Sequence, residues 1–326
     1  MTEIGRKLQG KRILVTGAAG FIGSRLVKAL LDCDAEVIAL VDEQSTLVRI
    51  ESLLDDSRLS MMRCIMSDAD SIETCSRKWG HIDLVAHLGL RMPRSDSFLK
   101  RVAEEINLNL LPTIKLIDSL ADSIEGICFA SSISVYGHPA RLPVSENDIP
   151  CPISVYGATK LAIENYLTTY GRANQLPITI LRYTTVYGPG EFKHRAVPNF
   201  MQSLTEGQSP LVYGDGSETR DYVYIDDVVE ATIRALVIKP SRVLLIGSGQ
   251  SHSILHIARE ITRLWPSDVS PRFLTREGRR IDITCDISAA SETLGYSPQT
   301  TLTEGLAEEI RWYKQEMLTI VAERAN

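Results

Sequence analysis

Tyr156 and Lys160 stand four residues apart in Tyr156-Gly157-Ala158-Thr159-Lys160. That spacing places a phenol and an ammonium on one face of a helix running to about Tyr170. A free phenol titrates at about 10 and is a poor base at neutral pH, and a neighbouring ammonium favours its phenolate. Upstream, Ser131-Ser132-Ile133-Ser134-Val135-Tyr136-Gly137 follows the apolar run Ile127 to Ala130. Hydroxyls at the carboxyl end of a central parallel strand face the crevice in which such sheets bind ligands; a merely polar strand end is the alternative. Read together, Ser132 holds a reacting hydroxyl and Tyr156 takes its proton. That is one half of a carbinol oxidation, and the other half is a hydride acceptor.

The elements that would position this pair begin at the amino terminus. Lys11 to Val15 reads as a buried strand and Phe21 to Leu31 as a helix. Between them lies Val15-Thr16-Gly17-Ala18-Ala19-Gly20-Phe21-Ile22-Gly23. The glycines at 17, 20 and 23 permit a tight turn and close approach to a pyrophosphate, which the N–H groups of the helix start would bind. A glycine-rich turn without a ligand is the alternative. A second strand, Val37 to Val41, ends in Asp42, nineteen residues after Gly23. A carboxylate there suits two free ribose hydroxyls and repels a 2′-phosphate, so the expected cofactor is NAD. Lys160 is also placed to hold the nicotinamide ribose.

Other strand ends add candidates to the cofactor wall. Asp68, after a strand near Met61 to Ile65, either accepts from an adenine amino group or caps the helix Ser71 to Trp79. The fourth strand, from Ile82, ends in His87, Leu88 and Gly89, whose small terminus lets a cofactor lie close; His87 reads as a packed strand-end residue. Thr46 to Leu54 reads as mostly helical, and Phe98 to Leu120 as a long helix interrupted at Pro112. On its apolar face Asn109 either stitches two backbone segments beside the site or caps around Pro112. After a sixth strand, Thr179 to Tyr183, the regular alternation stops. The expected fold is α/β: a doubly wound (Rossmann) parallel sheet over residues 1–185, joined by parts of 221–250, with a smaller α/β lobe over 186–326. In that lobe Arg220 is a candidate for a substrate phosphate, the alternative being an ion pair with Asp221 or Asp226. Arg276, Arg279 and Arg280 are either solvated or complete a diphosphate clamp. His252 and His256 are four apart, with no third ligand nearby to make a metal site.

Composition narrows the class. The chain has 326 residues, 44% hydrophobic and 23% charged, with a formal net charge of −6. This is the balance of a globular protein and gives no reason to expect nucleic acid as a partner. No run reaches the length of a membrane span, and Met1 to Gly10 is polar, unlike a secretory signal. Cys33, Cys64, Cys75, Cys128, Cys151 and Cys285 form no Cys-x-x-Cys pair and read as reduced thiols of a cytoplasmic protein.

These motifs resemble the extended short-chain dehydrogenase/reductase family, in particular its nucleotide-sugar epimerases and dehydratases. The resemblance spans nearly the whole chain. It includes the glycine loop, the serine-rich strand end, Tyr156 to Lys160, Leu181-Arg182-Tyr183 with Val186-Tyr187-Gly188-Pro189, Gly214 to Ser217, Thr219-Arg220-Asp221-Tyr222-Val223, and Leu294 to Pro298. It implies an NAD-dependent enzyme in which Ser132, Tyr156 and Lys160 oxidise C4 of a sugar carried on a nucleoside diphosphate. It further implies Arg220 and Arg276 on the diphosphate, Leu211 and Tyr213 near the base, Arg195 and Ala196 near the nucleotide, and a homodimer built as a four-helix bundle from helices around 98–120 and 156–170. Thr185 stands where the family usually carries a phosphate-binding asparagine, His87-Leu88-Gly89-Leu90 replaces the usual pair of alanines, and Arg279 replaces a ribose-binding aspartate. The 4,6-dehydratases of the family place an Asp-Glu pair, and its decarboxylases a glutamate, just after the catalytic hydroxyl. Ile133 and Ser134 offer no such acid, which favours 4-epimerisation. A 4-ketoreductase, a dehydratase of a polysaccharide or natural-product pathway, and a non-catalytic dinucleotide-binding regulator are the alternatives.

Overall fold

The computed structural model describes residues 3–65, 68–91, 97–120, 124–191, 195–266 and 268–325. Seven parallel strands form the main sheet in the order β10-β6-β5-β4-β1-β2-β3. They are β1 (Arg12–Thr16), β2 (Glu36–Val41), β3 (Leu59–Arg63), β4 (Leu84–His87), β5 (Gly126–Ser132), β6 (Ile178–Tyr183) and β10 (Val243–Ile246). Strand residues alternate between the two covered faces, as a sheet with helices on both sides requires. Ile13, Val15, Val37 and Ala39 pack with Leu26, Leu30, Val228 and Ala231 of α1 (Phe21–Leu31) and α7 (Ile225–Ile238). Leu14, Ile38, Val85 and Phe129 pack on the other face with Ile72, Leu116 and Ile163 of α2 (Ala69–Trp79), α4 (Leu111–Asp118) and α5 (Val155–Asn174).

The order of strands reverses between β1 and β4, which pair in parallel from Ile13 with Leu84 to Thr16 with His87. Carboxyl ends that diverge at such a switch point open the crevice of a doubly wound sheet. The smaller lobe rises over these ends. Its three-stranded sheet has the order β11-β9-β7, from β7 (Thr185–Tyr187), β9 (Thr219–Tyr224) and β11 (Ser251–Ser253). A two-stranded sheet pairs β8 (Leu211–Tyr213) with β12 (Arg272–Leu274), beside α6 (Ala196–Thr205) and α8 (Ile254–Leu264). The chain closes with α9 (Ser288–Leu294) and α10 (Leu302–Ala325).

Two expectations are corrected. Thr46 to Leu54 is not a helix: only Glu51–Leu53 makes a 3₁₀ turn. Local propensity yields there to tertiary contact, because Ile50 is fully buried and Arg49 donates to the Gly190 carbonyl of the other lobe at 3.0 Å. The long helix is not broken at Pro112. It runs as α3 (Phe98–Glu105), widens into one π turn over Ile106–Leu110, and continues as α4 with Pro112 in its first turn. An extra residue in the turn before a proline relieves the carbonyl that the ring can neither bond nor clear. Among the described residues, no helix is long and apolar enough to cross a membrane.

Candidate active site

Backbone geometry makes the first part of the site. Gly17 has a φ of +66°, and a Cβ on it would lie 2.7 Å from the Gly89 Cα. Glycine is therefore required on both sides of the switch point, and Gly89 explains why β4 does not end in alanines. A Cβ on Gly23 would lie 2.1 Å from the Gly17 carbonyl oxygen, so α1 packs directly against the turn. Gly20 precedes the first turn of α1 in extended backbone with no side-chain cap. Phe21 is buried and Ile22 half-buried behind it. The amino end of α1 thus faces a turn packed so closely against Gly89 and the Gly17 carbonyl that a methyl at 17 or 23 would force the backbone apart. These residues fit a dinucleotide pyrophosphate. Asp42 directly follows β2, half-buried, with the Arg91 guanidinium 3.5 Å from its carboxylate. Asp68 is exposed and directly precedes α2, in the position of a helix cap.

His87 ties this wall together, and its tautomer follows from the donors around it. Thr113 donates its hydroxyl hydrogen to the Asn109 carbonyl at 2.7 Å, so it accepts from His87 Nε2 at 2.8 Å. His87 Nδ1 is therefore the acceptor of the Thr16 hydroxyl at 2.8 Å, and the same Thr16 oxygen accepts from Gly89 N–H at 2.9 Å. Burial and the nearby Lys160 hold the imidazole down to about 3. A base depressed in the native state stabilises fully above its unfolded pKa of about 6.5, and that stability is lost as pH falls toward 3. His87→Gln should flatten the loss of stability across this window, as measured by urea unfolding at several pH values; an unchanged slope relative to wild type would remove His87 from the acid response. Asn109 stitches the next segment: its amide donates to the Arg91 carbonyl and accepts from the Arg91 N–H, both at 2.8 Å, and reaches the buried Glu105 at 2.6 Å.

The reacting groups meet at the end of β5. Ser132 donates to the Ser134 hydroxyl and accepts the Ser134 N–H, both at 3.1 Å, which fixes its oxygen at the mouth of the crevice. Ser154 caps α5 through the Gly157 N–H at 3.1 Å, so the helix starts where Tyr156 can face the Ser132 hydroxyl. One turn on, the Lys160 ammonium lies 5.7 Å from the centre of the Tyr156 ring and donates to the Ala130 carbonyl. The expected lowering of the phenol does not occur here. Burial pushes Tyr156 upward, opposed by the Ser132 hydrogen bond and the Arg195 charge. Burial likewise brings Lys160 down to about 7, though Glu164 and Glu105 resist that fall. The amine thus loses its proton before the phenol does, so the cationic support it gives the phenol falls as pH rises through about 7.

The residues named for the substrate fall in two groups. Ala196, Leu211, Tyr213 and Arg276 line one cavity of about 500 Å³ with Asn199, Glu218 and others. Thr185 lies half-buried on β7. Arg195 stands at the N-cap position of α6 without a side-chain capping bond; it donates to the Val186 carbonyl and pairs with buried Glu191, both at 3.2 Å. The suggested partners of Arg220 are otherwise engaged. Asp221 accepts from the N–H groups of Ser248, Gly249 and Cys285, and Asp226 pairs with Arg25 at 2.8 Å. Arg220 pairs instead with Glu218, a residue sequence reasoning passed over although it lies two positions away. His252 and His256 stack with ring centres 5.3 Å apart, and no group that could hold a metal forms among the described residues. All six cysteines are free thiols, and only Cys151 is exposed.

The chain is similar to known proteins in sequence and in fold. Residues 13–247 match the sequence family described as the NAD dependent epimerase/dehydratase family. The UDP-glucose 4-epimerase of Mycolicibacterium smegmatis is 31% identical over 94% of this chain and 99% of its own. The dTDP-glucose 4,6-dehydratase of Streptomyces antibioticus is 28% identical over 93% of this chain and 92% of its own. The crystal structure of UDP-glucuronic acid 4-epimerase from Bacillus cereus, in complex with UDP-glucuronic acid and NAD, superposes with a TM-score of 0.82 at 33% identity, covering 94% of this chain and 99% of that one.

Proposed function

The chain belongs to the NAD-dependent epimerase/dehydratase family and is an NAD-dependent enzyme of nucleotide sugars, and on that premise we propose that it is a nucleotide-sugar 4-epimerase. When bound, NAD would supply the two-electron acceptor for the oxidation. Gly17, Gly20, Phe21, Ile22 and Gly23 would hold its pyrophosphate, Asp42 the adenosine ribose, and Leu88, Gly89 and Asn109 would shape the wall beside it. Tyr156 takes the proton from the C4 hydroxyl and gives it back to the keto oxygen after the sugar has turned, while the hydride lost from C4 would return to the opposite face of that carbon. Ser132 orients that hydroxyl, and Lys160 holds the ribose and the charge balance below it.

One observation carries the choice of epimerisation. The 3₁₀ turn that directly follows Ser132 begins with Ile133 and Ser134, neither of them a carboxylate. Loss of water or carbon dioxide after oxidation needs a proton donor or acceptor there, whereas return of the hydride needs none. Of the carboxylates near Tyr156 and Lys160, Glu105 is tied to Asn109 and Glu164 to Arg182. The test is incubation of the NAD-loaded protein with UDP-, dTDP-, GDP- and CDP-sugars, without added reduced cofactor. The expected product is the 4-epimer of one of them. A dehydrated product, or turnover only with stoichiometric reduced cofactor, would replace the reading with the dehydratase or ketoreductase one.

We also propose that the enzyme works in the cytoplasm as a homodimer through α3 and α5. Phe98 and Leu99 are 69% and 77% exposed on α3, and Tyr166 is 55% exposed on α5, an apolar face that a second copy would cover as a four-helix bundle. Leu99→Glu should shift the light-scattering mass from dimer to monomer; a wild-type monomer would contradict the assembly.

A further inference from the structure

The cavity wall in the smaller lobe contains a carboxylate where an anionic ligand is expected. Glu218 immediately precedes β9, its backbone oxygen accepting from Ile254 N–H at 2.9 Å, and it is 9% exposed. Its two oxygens engage the two arginines assigned above to the diphosphate: one pairs with Arg220, the other with Arg276. Both guanidiniums are also held by backbone. Arg220 donates to the Ile281 carbonyl, and Arg276 donates to the Tyr213 carbonyl at 3.3 Å while lying over Gly214. Of the two basic residues that follow in the chain, Arg279 is exposed and Arg280 is paired with Asp282 at 2.6 Å. Glu218 therefore offsets part of the positive charge of Arg220 and Arg276 by bridging them, one oxygen to each, as two oxygens of a diphosphate would.

We propose that Glu218 is the counter-ion of the resting diphosphate subsite, occupying Arg220 and Arg276 until a nucleoside diphosphate displaces it, and thereby setting how tightly the substrate is held and how fast it leaves. This rests on the nucleotide-sugar reading and adds a residue to it. A ligand phosphate and the Glu218 carboxylate cannot both hold the same N–H donors. Binding must break two ion pairs and leave a carboxylate beside the incoming charge, so part of the affinity is lost to the exchange. A pocket competent only when its own anion has moved away binds more weakly by the fraction of time it is competent. Such a subsite gains in exchange rapid release of product, the step that often limits turnover.

Glu218→Gln keeps the shape and one hydrogen-bond acceptor but removes the charge. On the NAD-loaded protein, the nucleoside diphosphate that binds wild type best among UDP, dTDP, GDP and CDP should bind this variant at least about tenfold more tightly by calorimetry. The gain should be smaller for the matching monophosphate, and kcat should fall with KM if release limits turnover. Glu218→Ala should tighten binding in the same direction, which separates displacement from any special property of the amide. Arg276→Gln is the control on the underlying reading and should weaken the same ligand. If Arg276→Gln weakens binding while neither Glu218 variant tightens it, Glu218 is structural and the proposal is overturned, with the subsite intact. If Arg276→Gln has no effect, or no nucleoside diphosphate binds at all, the diphosphate reading itself fails and the proposal with it.

Discussion

Tyr156→Phe is expected to lower turnover by roughly 10²–10⁴-fold, the usual contribution of a positioned acid–base group, while NAD stays bound. The two effects separate because the phenol oxygen faces Ser132, whereas the proposed dinucleotide cradle is the backbone of Gly17 to Gly23 and Gly89. Ring packing survives the change, so the fold should be indifferent to it. Lys160→Met should also impair turnover, but with an additional signature in stability. Lys160 is held down to about 7 by burial, although it would titrate near its ordinary 10.5 in the unfolded chain. The penalty for burying its charge is therefore full below pH 7 and vanishes as pH rises through 10.5. Any stability that Lys160→Met gains over wild type should shrink across that interval, as read from unfolding midpoints.

Glu164→Ala should be the most damaging single change to the fold, costing about 3–5 kcal/mol, out of a total that for a domain is about 5–15. Glu164 and Arg182 are 3% and 5% exposed, and the guanidinium meets the carboxylate at 2.6, 3.1 and 3.2 Å. Ser131 completes the carboxylate, and Tyr136 accepts from the other arm of Arg182 at 2.5 Å. Removing the acid leaves a buried cation without its counter-ion beneath the strand end that carries Ser132. Urea unfolding monitors this directly, and a loss below about 1 kcal/mol would place the pair among ordinary surface bridges. Because Glu164 also supports the charge of Lys160, Glu164→Gln should lower activity as well as stability.

The parts of this site that were legible in the sequence are those whose chemistry is local. The helix Phe21–Leu31 lies where the glycine loop put it, since three glycines and the apolar period that follows determine one turn and one helix. The spacing of Tyr156 and Lys160 likewise fixed a shared face before any fold was known. The stitching role read for Asn109 was legible as a possibility only, because it depends on the Arg91 backbone, eighteen residues away in the chain. What depends on distant partners was not legible. The Glu218 carboxylate meets an arginine from another strand connection, and Asp221 serves three N–H groups from two later loops. Glu164 carried a signal that could have been used, since it continues the four-residue ladder from Tyr156 through Lys160. Its partner Arg182 had already been singled out within Leu181-Arg182-Tyr183. The direction of the phenol shift was misread because spacing gives proximity but not burial, and burial outweighs proximity in both groups.

The central claim is that the C4 hydrogen leaves the sugar and returns to the same carbon. A nucleotide sugar carrying deuterium at C4 tests it most directly, incubated with the NAD-loaded enzyme in ordinary water without added reductant. The account predicts the 4-epimer with deuterium still at C4. Epimer in which the label has been replaced by solvent hydrogen would contradict it.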